Sequence, residues 1–177
     1  INVVLKNMRM FMKNKIIVDE IMVKVSVIMP VYNSVSSVVK MLNSLKSQTL
    51  KEFEVLMIDD GSNDGTENIL DNFAQMDQRF KAVHKQNGGV SAARQTGLEL
   101  AQGEYVIHAD SDDWVDPKML EELYINAKQN DADVVICDFF SNTDKNQILV
   151  KQEPLSLDPA EILKELFQQL HGSCCNK

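Results

Sequence analysis

The sequence predicts an α/β fold with a mostly parallel central sheet, covered by helices in a Rossmann-like three-layer α/β/α arrangement. Short apolar runs rich in β-branched residues alternate along the chain with segments of about 10 to 15 residues whose apolar positions recur at helical spacing. The length of 177 residues, with 44% apolar and 25% charged residues, suits one globular domain. Such alternation predicts βαβ units with right-handed crossovers.

The first predicted strand, VKVSVIMP, ends at Pro30, and helical spacing follows over residues 38–45. The second strand, FEVLMID, ends at Asp59. The next helix lies in DGTENILDNFAQM, where Asp64 is the predicted N-cap and a glutamate follows three residues later. RFKAVH is a weaker predicted strand.

The second half of the chain continues the alternation. SAARQTGLELAQG predicts a helix closed by Gly103, and EYVIHAD predicts the next strand. Asp116 and Pro117 predict the start of the helix KMLEELYINAKQ. DVVICDFF is predicted as one final strand, and Asp158 with Pro159 as the start of a last helix, AEILKELFQQL.

Composition narrows the classes of partner. The net charge of -8, without a basic patch, argues against nucleic acid. Three cysteines, two of them adjacent, are too few for a disulfide framework, so a reduced, cytoplasmic compartment is expected. No apolar run approaches the roughly 18 residues of a membrane span. Residues 1–22 are basic and predicted to be a frayed or helical extension, with a membrane-surface anchor as the alternative.

The segment HADSDDWVDP gathers four carboxylates directly after a predicted strand. Asp110 and Asp112 are two apart, so on extended backbone they project to the same side. Convergent carboxylates repel each other unless they are bridged, and Mg²⁺ or Mn²⁺ suits such an incomplete set of oxygen ligands. The alternative is a solvated cluster in which Asp113 and Asp116 merely cap the next helix.

Two further segments follow predicted strands, and in open parallel sheets ligands bind at that edge. In IDDGSNDGT, Asp60 could accept hydrogen bonds from a base or a ribose, although turn chemistry alone also explains the motif. In KQNGGVSAAR, Asn87 and Gly89 let the backbone approach a ligand and aim helix N-terminal amides at it. Arg94 could meet a phosphate or brace the Asp110 carboxylate.

Four motifs, VSVIMPVYNS, VLMIDDGSNDGT, NGGVSAARQTGLELAQGEY and HADSDDWVDP, together resemble those of the family 2 inverting glycosyltransferases with the GT-A fold. The resemblance covers about residues 24–140 and includes order and spacing. It implies a nucleotide-diphospho-sugar donor, usually UDP-linked, bound with Mn²⁺ or Mg²⁺. It also implies inverting transfer to a glycan or lipid-linked acceptor in bacterial polysaccharide or cell-surface glycan synthesis, at the inner face of the membrane.

The resemblance assigns roles to residues of all four motifs. The nucleobase and ribose would be lined by the first motif, the base bound by the second, the donor bordered by the third, and the metal held by the DXD motif of the fourth. In that order the residues are Pro30, Val31, Tyr32 and Asn33; Asp60; Asn87, Gly89 and Arg94; and Asp110, Ser111 and Asp112. Within the last group, Asp110 and Ser111 are expected to bind the nucleotide-sugar, with Asp110 reaching the ribose or the metal, and Asp110 and Asp112 are the expected metal ligands.

The general base of such enzymes is usually an aspartate well downstream of the metal ligands, so the resemblance implies a base beyond residue 177 and no catalytic residue is assigned. We therefore expect an extension at 1–22, a nucleotide-sugar-binding domain at 23–145 and the truncated start of an acceptor-side region at 146–177. The chain alone is then expected to bind donor and metal but to transfer sugar poorly. A catalytically incomplete binding module or partner subunit is the alternative.

Two other classes fit the sequence less well. A sugar-nucleotide pyrophosphorylase would need a glycine-rich loop with an arginine after the first strand, where the chain has MPVYNS. A receiver-like signalling module would need an acidic pair where Pro30 stands. His84 and His108 lie in or beside predicted strands, and we interpret them as hydrogen-bonded or core residues.

Overall fold

The computed structural model describes residues 3–6, 23–142 and 146–152. The chain divides into two compact units, Ile1–Cys137 and Asp138–Lys177. The boundary between these compact units lies after residue 137, and the predicted functional division, with a donor domain at 23–145, stays a prediction.

The first unit is built on a six-stranded sheet. Its strands are β1 (Val3–Lys6), β2 (Val25–Val31), β3 (Phe53–Asp59), β4 (Phe80–His84), β5 (Tyr105–His108) and β6 (Val134–Ile136). They lie in the order β4-β3-β2-β5-β1-β6. Strands β2 to β5 are mutually parallel, and β1 runs antiparallel to both β5 and β6. The carboxyl ends of β2 to β5 therefore meet at one edge of the sheet.

Helices cover both faces of this sheet. They are α1 (Val38–Lys46), α2 (Thr66–Met76), α3 (Val90–Leu100) and α4 (Met119–Gln129). The larger core joins alternate residues of β2 and β3 to α1, α2 and α4, whereas Ile28, Leu56 and Ile58 pack with Ala93 of α3 in a second core. Because β2 and β3 are buried on both faces, they read as nearly continuous apolar runs. The predicted three-layer α/β fold is confirmed.

The structure differs from the expectation for the N-terminal extension. Residues 3–6 form a strand rather than a frayed or helical segment, and they pair with Tyr105–Ile107 on one side and Val134–Ile136 on the other. The sequence VVLK has the strand propensity for this position. Its pairing partners lie about a hundred residues later in the chain, beyond the reach of a local pattern.

Three boundaries also differ from the prediction. Pro30 does not end β2, because beyond Ile28 this strand pairs with β3 alone and can hold a residue without an amide hydrogen. Helix α2 has Gly65, with φ of 94°, at its N-cap, while Asp64 accepts a hydrogen bond from the Thr66 amide at 3.0 Å. The predicted strand DVVICDFF divides into β6 and β7 (Phe139–Asn142). The helix predicted after Asp158 lies outside the described residues.

In the second unit, β7 pairs antiparallel with β8 (Gln147–Val150). Phe139 lies opposite Val150 in this hairpin. None of the helices that the structure describes is long and apolar enough to cross a bilayer.

Candidate functional site

The loops that follow β2 and β3 are bound to each other. The Asn33 amide donates to Ser62 Oγ at 3.0 Å, and the Asn63 amide donates to Asn33 Oδ1 at 2.9 Å. Asn33 has a φ of 47°, in the left-handed region that asparagine tolerates better than most residues. The Asn33 side chain, predicted to lie near the nucleotide, thus serves to hold two loops of the sheet edge together.

Asp60 connects the end of β3 to the loop before α3. Its Oδ1 accepts hydrogen bonds from Lys85 Nζ at 2.5 Å and from the Gly88 amide at 2.9 Å. Its Oδ2 accepts one from the Gly89 amide at 2.7 Å. Burial alone would raise the pKa of Asp60, but these hydrogen bonds outweigh it and lower the pKa below its ordinary value. The glycine amides that were expected to face a ligand are therefore occupied by an ionised side chain of the protein.

Asp59 points to the opposite side of the strand end, toward α2. Its Oδ1 accepts from the Ser62 amide at 3.0 Å and its Oδ2 contacts His84 Nδ1 at 2.8 Å. The other ring nitrogen of His84 lies 3.0 Å from Asp71 Oδ1. Hydrogen bonds to Asp59 and Asp71 raise the pKa of His84. The interpretation of His84 as a hydrogen-bonded residue agrees with this geometry.

A cleft of about 500 Å³ opens beside these groups, at the carboxyl ends of β3 and β4. Gly61, on its wall, has a φ of 78°, and a Cβ there would lie 3.0 Å from the Asn87 amide nitrogen, so glycine permits the two loops to approach. The cleft is lined by Asp59, Gly61, Ser62, Glu67, Asp71, His84, Lys85 and Gln86.

The acidic segment after β5 is joined to the rest of the edge by two contacts. Ser34 Oγ and Ser111 Oγ are 2.9 Å apart, which links the loop after β2 to the DXD segment. Arg94 Nη2 donates to Asp110 Oδ1 at 2.9 Å, as one of the two predicted roles of Arg94 required. Arg94 Nε is buried and has no partner among the described residues. The guanidinium thus has one N–H donor whose hydrogen-bonding capacity is not used by the described residues.

The donor set of this segment fits a divalent cation that is shared with a ligand. Asp112 is exposed, and the structure gives its carboxylate no hydrogen bond or ion pair within the described residues. Partial burial of the carboxyl group and the negative charges of Asp112 and Asp110 raise the pKa of Asp113. In the described part of the chain no group of three or more His, Cys, Asp or Glu residues could hold a metal alone. Two carboxylates completed by phosphate and water are a common set for Mg²⁺.

The other residues predicted to bind the nucleotide-sugar differ in how far their side chains are exposed to a ligand. Tyr32 is 52% exposed beside the cleft loops, and Asn87 is exposed. Pro30 is half-buried. Val31 is 1% exposed, and its carbonyl already accepts a hydrogen bond from the Asp60 amide at 2.8 Å, so its side chain does not face a ligand.

Sequence reasoning missed Lys85 and Ser34. Lys85 is the first residue after β4, so the rule that ligands bind at strand carboxyl ends would have singled it out. Ser34 stands one residue after the predicted Asn33, and its contact with Ser111 joins segments that are 77 residues apart in the chain. No local sequence pattern signals that pairing.

The chain belongs to glycosyl transferase family 2, whose profile matches residues 26–176. This membership sets aside the pyrophosphorylase and receiver-like interpretations.

Two relatives show how the similarity is distributed. The putative glycosyltransferase EpsH of Bacillus subtilis is 34% identical over 158 residues, which are 86% of this chain and 46% of EpsH. The poly(ribitol-phosphate) beta-N-acetylglucosaminyltransferase TarP of Staphylococcus aureus is 40% identical over 119 residues, which are 65% of this chain and 36% of TarP.

A solved structure supports the fold. The crystal structure of S. aureus TarS 1-349 in complex with UDP-GlcNAc is similar with a TM-score of 0.56 at 34% identity, over 60% of this chain and 31% of that one. The chain therefore spans less than half of the length of each of these proteins.

Proposed function

We propose that this chain binds a nucleotide-diphospho-sugar, with uridine as the nucleoside, at the carboxyl edge of its sheet. The protein to which this donor-binding part belongs would transfer the sugar to an acceptor hydroxyl with inversion. The observation that carries the proposal is the juxtaposition at the end of β5 and the start of α3. There the exposed Asp112 carboxylate lies two residues from Asp110, which is paired with a guanidinium that keeps a spare donor.

The donor would lie across the loops in a defined direction. Tyr32, exposed at the end of β2, offers a ring face on which a base can stack. Asp60 would accept a hydrogen bond from a ring N–H of the base. Arg94, one turn into α3, would offer guanidinium donors to the diphosphate, because these donors match phosphate oxygens.

Asp110 and Asp112 would hold Mn²⁺ or Mg²⁺, which when bound would neutralise negative charge on the diphosphate as the glycosidic bond breaks. Arg94 fixes the Asp110 carboxylate through its ion pair, so this ligand would keep its orientation when the donor arrives. The acidic protein would thereby hold an anionic ligand that its net charge of -8 otherwise repels.

The acceptor hydroxyl would attack from the face opposite the leaving diphosphate and lose its proton to a general base that is not assigned here. A glycan or lipid-linked acceptor and a position at the cytoplasmic face of the membrane, through peripheral association, are part of the proposal. UDP-GlcNAc is the first donor to test, because the similar TarS structure contains it.

The test is calorimetric titration of UDP and UDP-GlcNAc into the chain, with and without Mn²⁺. We expect metal-dependent binding, and we expect Asp112→Asn to weaken it at least about tenfold, equivalent to about 1.4 kcal/mol. Asp116→Asn is the matched control, since Asp116 lies in the same segment but accepts a hydrogen bond from the Lys118 amide at 2.8 Å. Equal affinity of the wild type and Asp112→Asn would remove Asp112 from the metal site, and no binding of either nucleotide would refute the donor site.

A further inference from the structure

Three donors from the described residues reach the Asp60 carboxylate, and they leave one of its acceptor positions unused. An ionised carboxylate offers about four lone-pair sites. Lys85 Nζ and the Gly88 amide occupy two of them on Oδ1, and the Gly89 amide occupies one on Oδ2. The remaining capacity is therefore on Oδ2. Only 5% of the Asp60 side chain is exposed, so a ligand that reaches this atom meets it away from bulk water.

Among the three donors to Asp60, Lys85 alone carries charge. Two backbone amides hydrogen-bond the carboxylate, but a buried acid without a counter-charge tends to take up a proton. The Lys85 ammonium is 22% exposed and also donates to the Gln86 carbonyl at 2.8 Å, which holds it in the loop. The burial of Asp60 would favour its neutral form, and the hydrogen bond from Lys85 is the largest of the influences that oppose this.

We propose that Lys85 is a positioning residue that sets the nucleobase selectivity of the donor site by holding the Asp60 carboxylate as an obligate hydrogen-bond acceptor. This inference rests on the proposed function, in which Asp60 contacts the base. An ionised carboxylate can only accept, so it pairs with a base edge that carries a ring N–H. Uracil, thymine and guanine have such a group, whereas the corresponding ring nitrogen of cytosine or adenine is itself an acceptor.

Placing the Asp60 carboxylate opposite the acceptor nitrogen of cytosine or adenine in a buried site costs binding free energy. Neither lone pair is satisfied after water has been displaced, and sites built around one hydrogen bond reject ligands that lack it. The selectivity therefore depends on keeping a proton off Asp60. Without the Lys85 ammonium, a protonated Asp60 becomes a donor and the penalty against cytosine falls.

A purely structural role of Lys85 makes a different prediction. Lys85 Nζ lies 3.0 Å from the position that a Gly88 Cβ would occupy, so it packs closely against the loop before α3. If Lys85 only braces this loop, its removal weakens all nucleotides by the same factor. A change in the ratio of affinities for two nucleotides with identical phosphates separates the two roles.

A second lysine, Lys81 on β4, four residues before Lys85, provides a matched control. Lys81 Nζ pairs with Glu54 Oε2 at 2.8 Å, and the Glu54 side chain is 2% exposed. The pair has the same chemistry as Lys85 with Asp60, but Lys81 does not line the cleft, whereas Lys85 does. Lys81→Met therefore removes an ammonium from a buried carboxylate without touching the donor site.

The experiment is titration of UDP and CDP with Mn²⁺ into the wild type, Lys85→Met, Lys85→Gln and Lys81→Met. We expect the wild type to prefer UDP at least tenfold, Lys85→Met to reduce this preference at least fivefold, and Lys81→Met to leave it unchanged. Lys85→Gln keeps an N–H donor without the charge and should show an intermediate preference. If Lys85→Met does not fold, Lys85→Gln decides.

Three outcomes overturn the inference. Wild-type protein that binds UDP and CDP equally shows that Asp60 does not select the base. Equal weakening of both nucleotides in the Lys85 variants assigns Lys85 to the loop alone. The first two outcomes leave the proposal that this edge of the sheet binds the donor unaffected. Wild-type protein that binds neither nucleotide with Mn²⁺ refutes the proposed function and this inference with it.

Discussion

The two acidic segments at the carboxyl edge of the sheet differ in how many hydrogen-bond and ion-pair partners their carboxylates have. After β3, Asp59 and Asp60 are both 3% exposed, and each carboxylate oxygen has a protein partner. After β5, Asp110 has one ion pair and Asp112 has no partner that the structure describes. Hydrogen bonds lower the pKa values of the first pair, whereas like charges contribute to raising that of Asp113.

This contrast suggests that the two segments have different functions, loop positioning after β3 and ligand binding after β5. Every carboxylate oxygen of the segment after β3 has a protein partner before a ligand binds, so the segment can hold the loops in their binding arrangement before the donor arrives. The segment after β5 has negative charge that no described group of the protein neutralises, and in the proposed function a cation would complete it. Substitutions in the first segment should therefore cost folding stability, and those in the second should cost ligand binding.

The largest stability effect should come from Asp60→Ala. The substitution leaves the Lys85 ammonium and two loop amides without their acceptor, and breaking a buried pair in this way costs about 3 kcal/mol of unfolding free energy. Urea unfolding measures it. Asp112→Ala serves as the comparison and should stay within about 0.5 kcal/mol of the wild type. Similar losses in both variants would abolish the contrast between the segments.

The sequence predicted the bounds of the strands better than the contacts between residues of the site, and particular residues show why. Phe53–Asp59 was predicted to the residue because burial on both faces demands an uninterrupted apolar run. The DXD segment could be singled out because its carboxylates are neighbours in the sequence, and its role as a metal site stays a prediction. The completion of Asp60 by Lys85 spans 25 residues and depends on how far a side chain reaches across two strand ends. The strand at Val3–Lys6 likewise depends on partners from the far end of the sheet.

A smaller, pH-dependent effect should appear at His84. Hydrogen bonds to Asp59 and Asp71 raise its pKa above the ordinary 6.5 in the folded protein, so its stabilising contribution is complete below about pH 6.5 and is lost as the pH rises through the folded value. The lowered pKa of Asp59 means that its own contribution is lost only as the pH falls through a value below 3.8.

The comparison of wild type with His84→Gln isolates this effect. We expect the wild type to exceed the variant in unfolding free energy by up to about 1 kcal/mol at pH 6, a small value because the His84 side chain is 42% exposed and solvent screens its charge. The difference should be smaller at pH 9, because His84 is then neutral. Chemical denaturation at the two pH values measures the difference. An equal difference at the two pH values would show that the charge of His84 contributes nothing to the stability of the segment after β3.

The smallest effect, and the one of opposite sign, should come from Asp113→Asn. Because partial burial of its carboxyl group, together with repulsion from Asp112 and Asp110, raises the pKa of Asp113, its ionised form destabilises the folded protein at neutral pH. The asparagine variant should therefore be more stable than the wild type at pH 7, by less than about 0.5 kcal/mol because these side chains are exposed. The gain should shrink as the pH falls toward 3.8, where the acid also becomes neutral in the unfolded chain. Thermal unfolding at low salt resolves it. A loss of stability at pH 7 would show that the charge after β5 is already balanced by the protein, and the segment would then have no need of a cation.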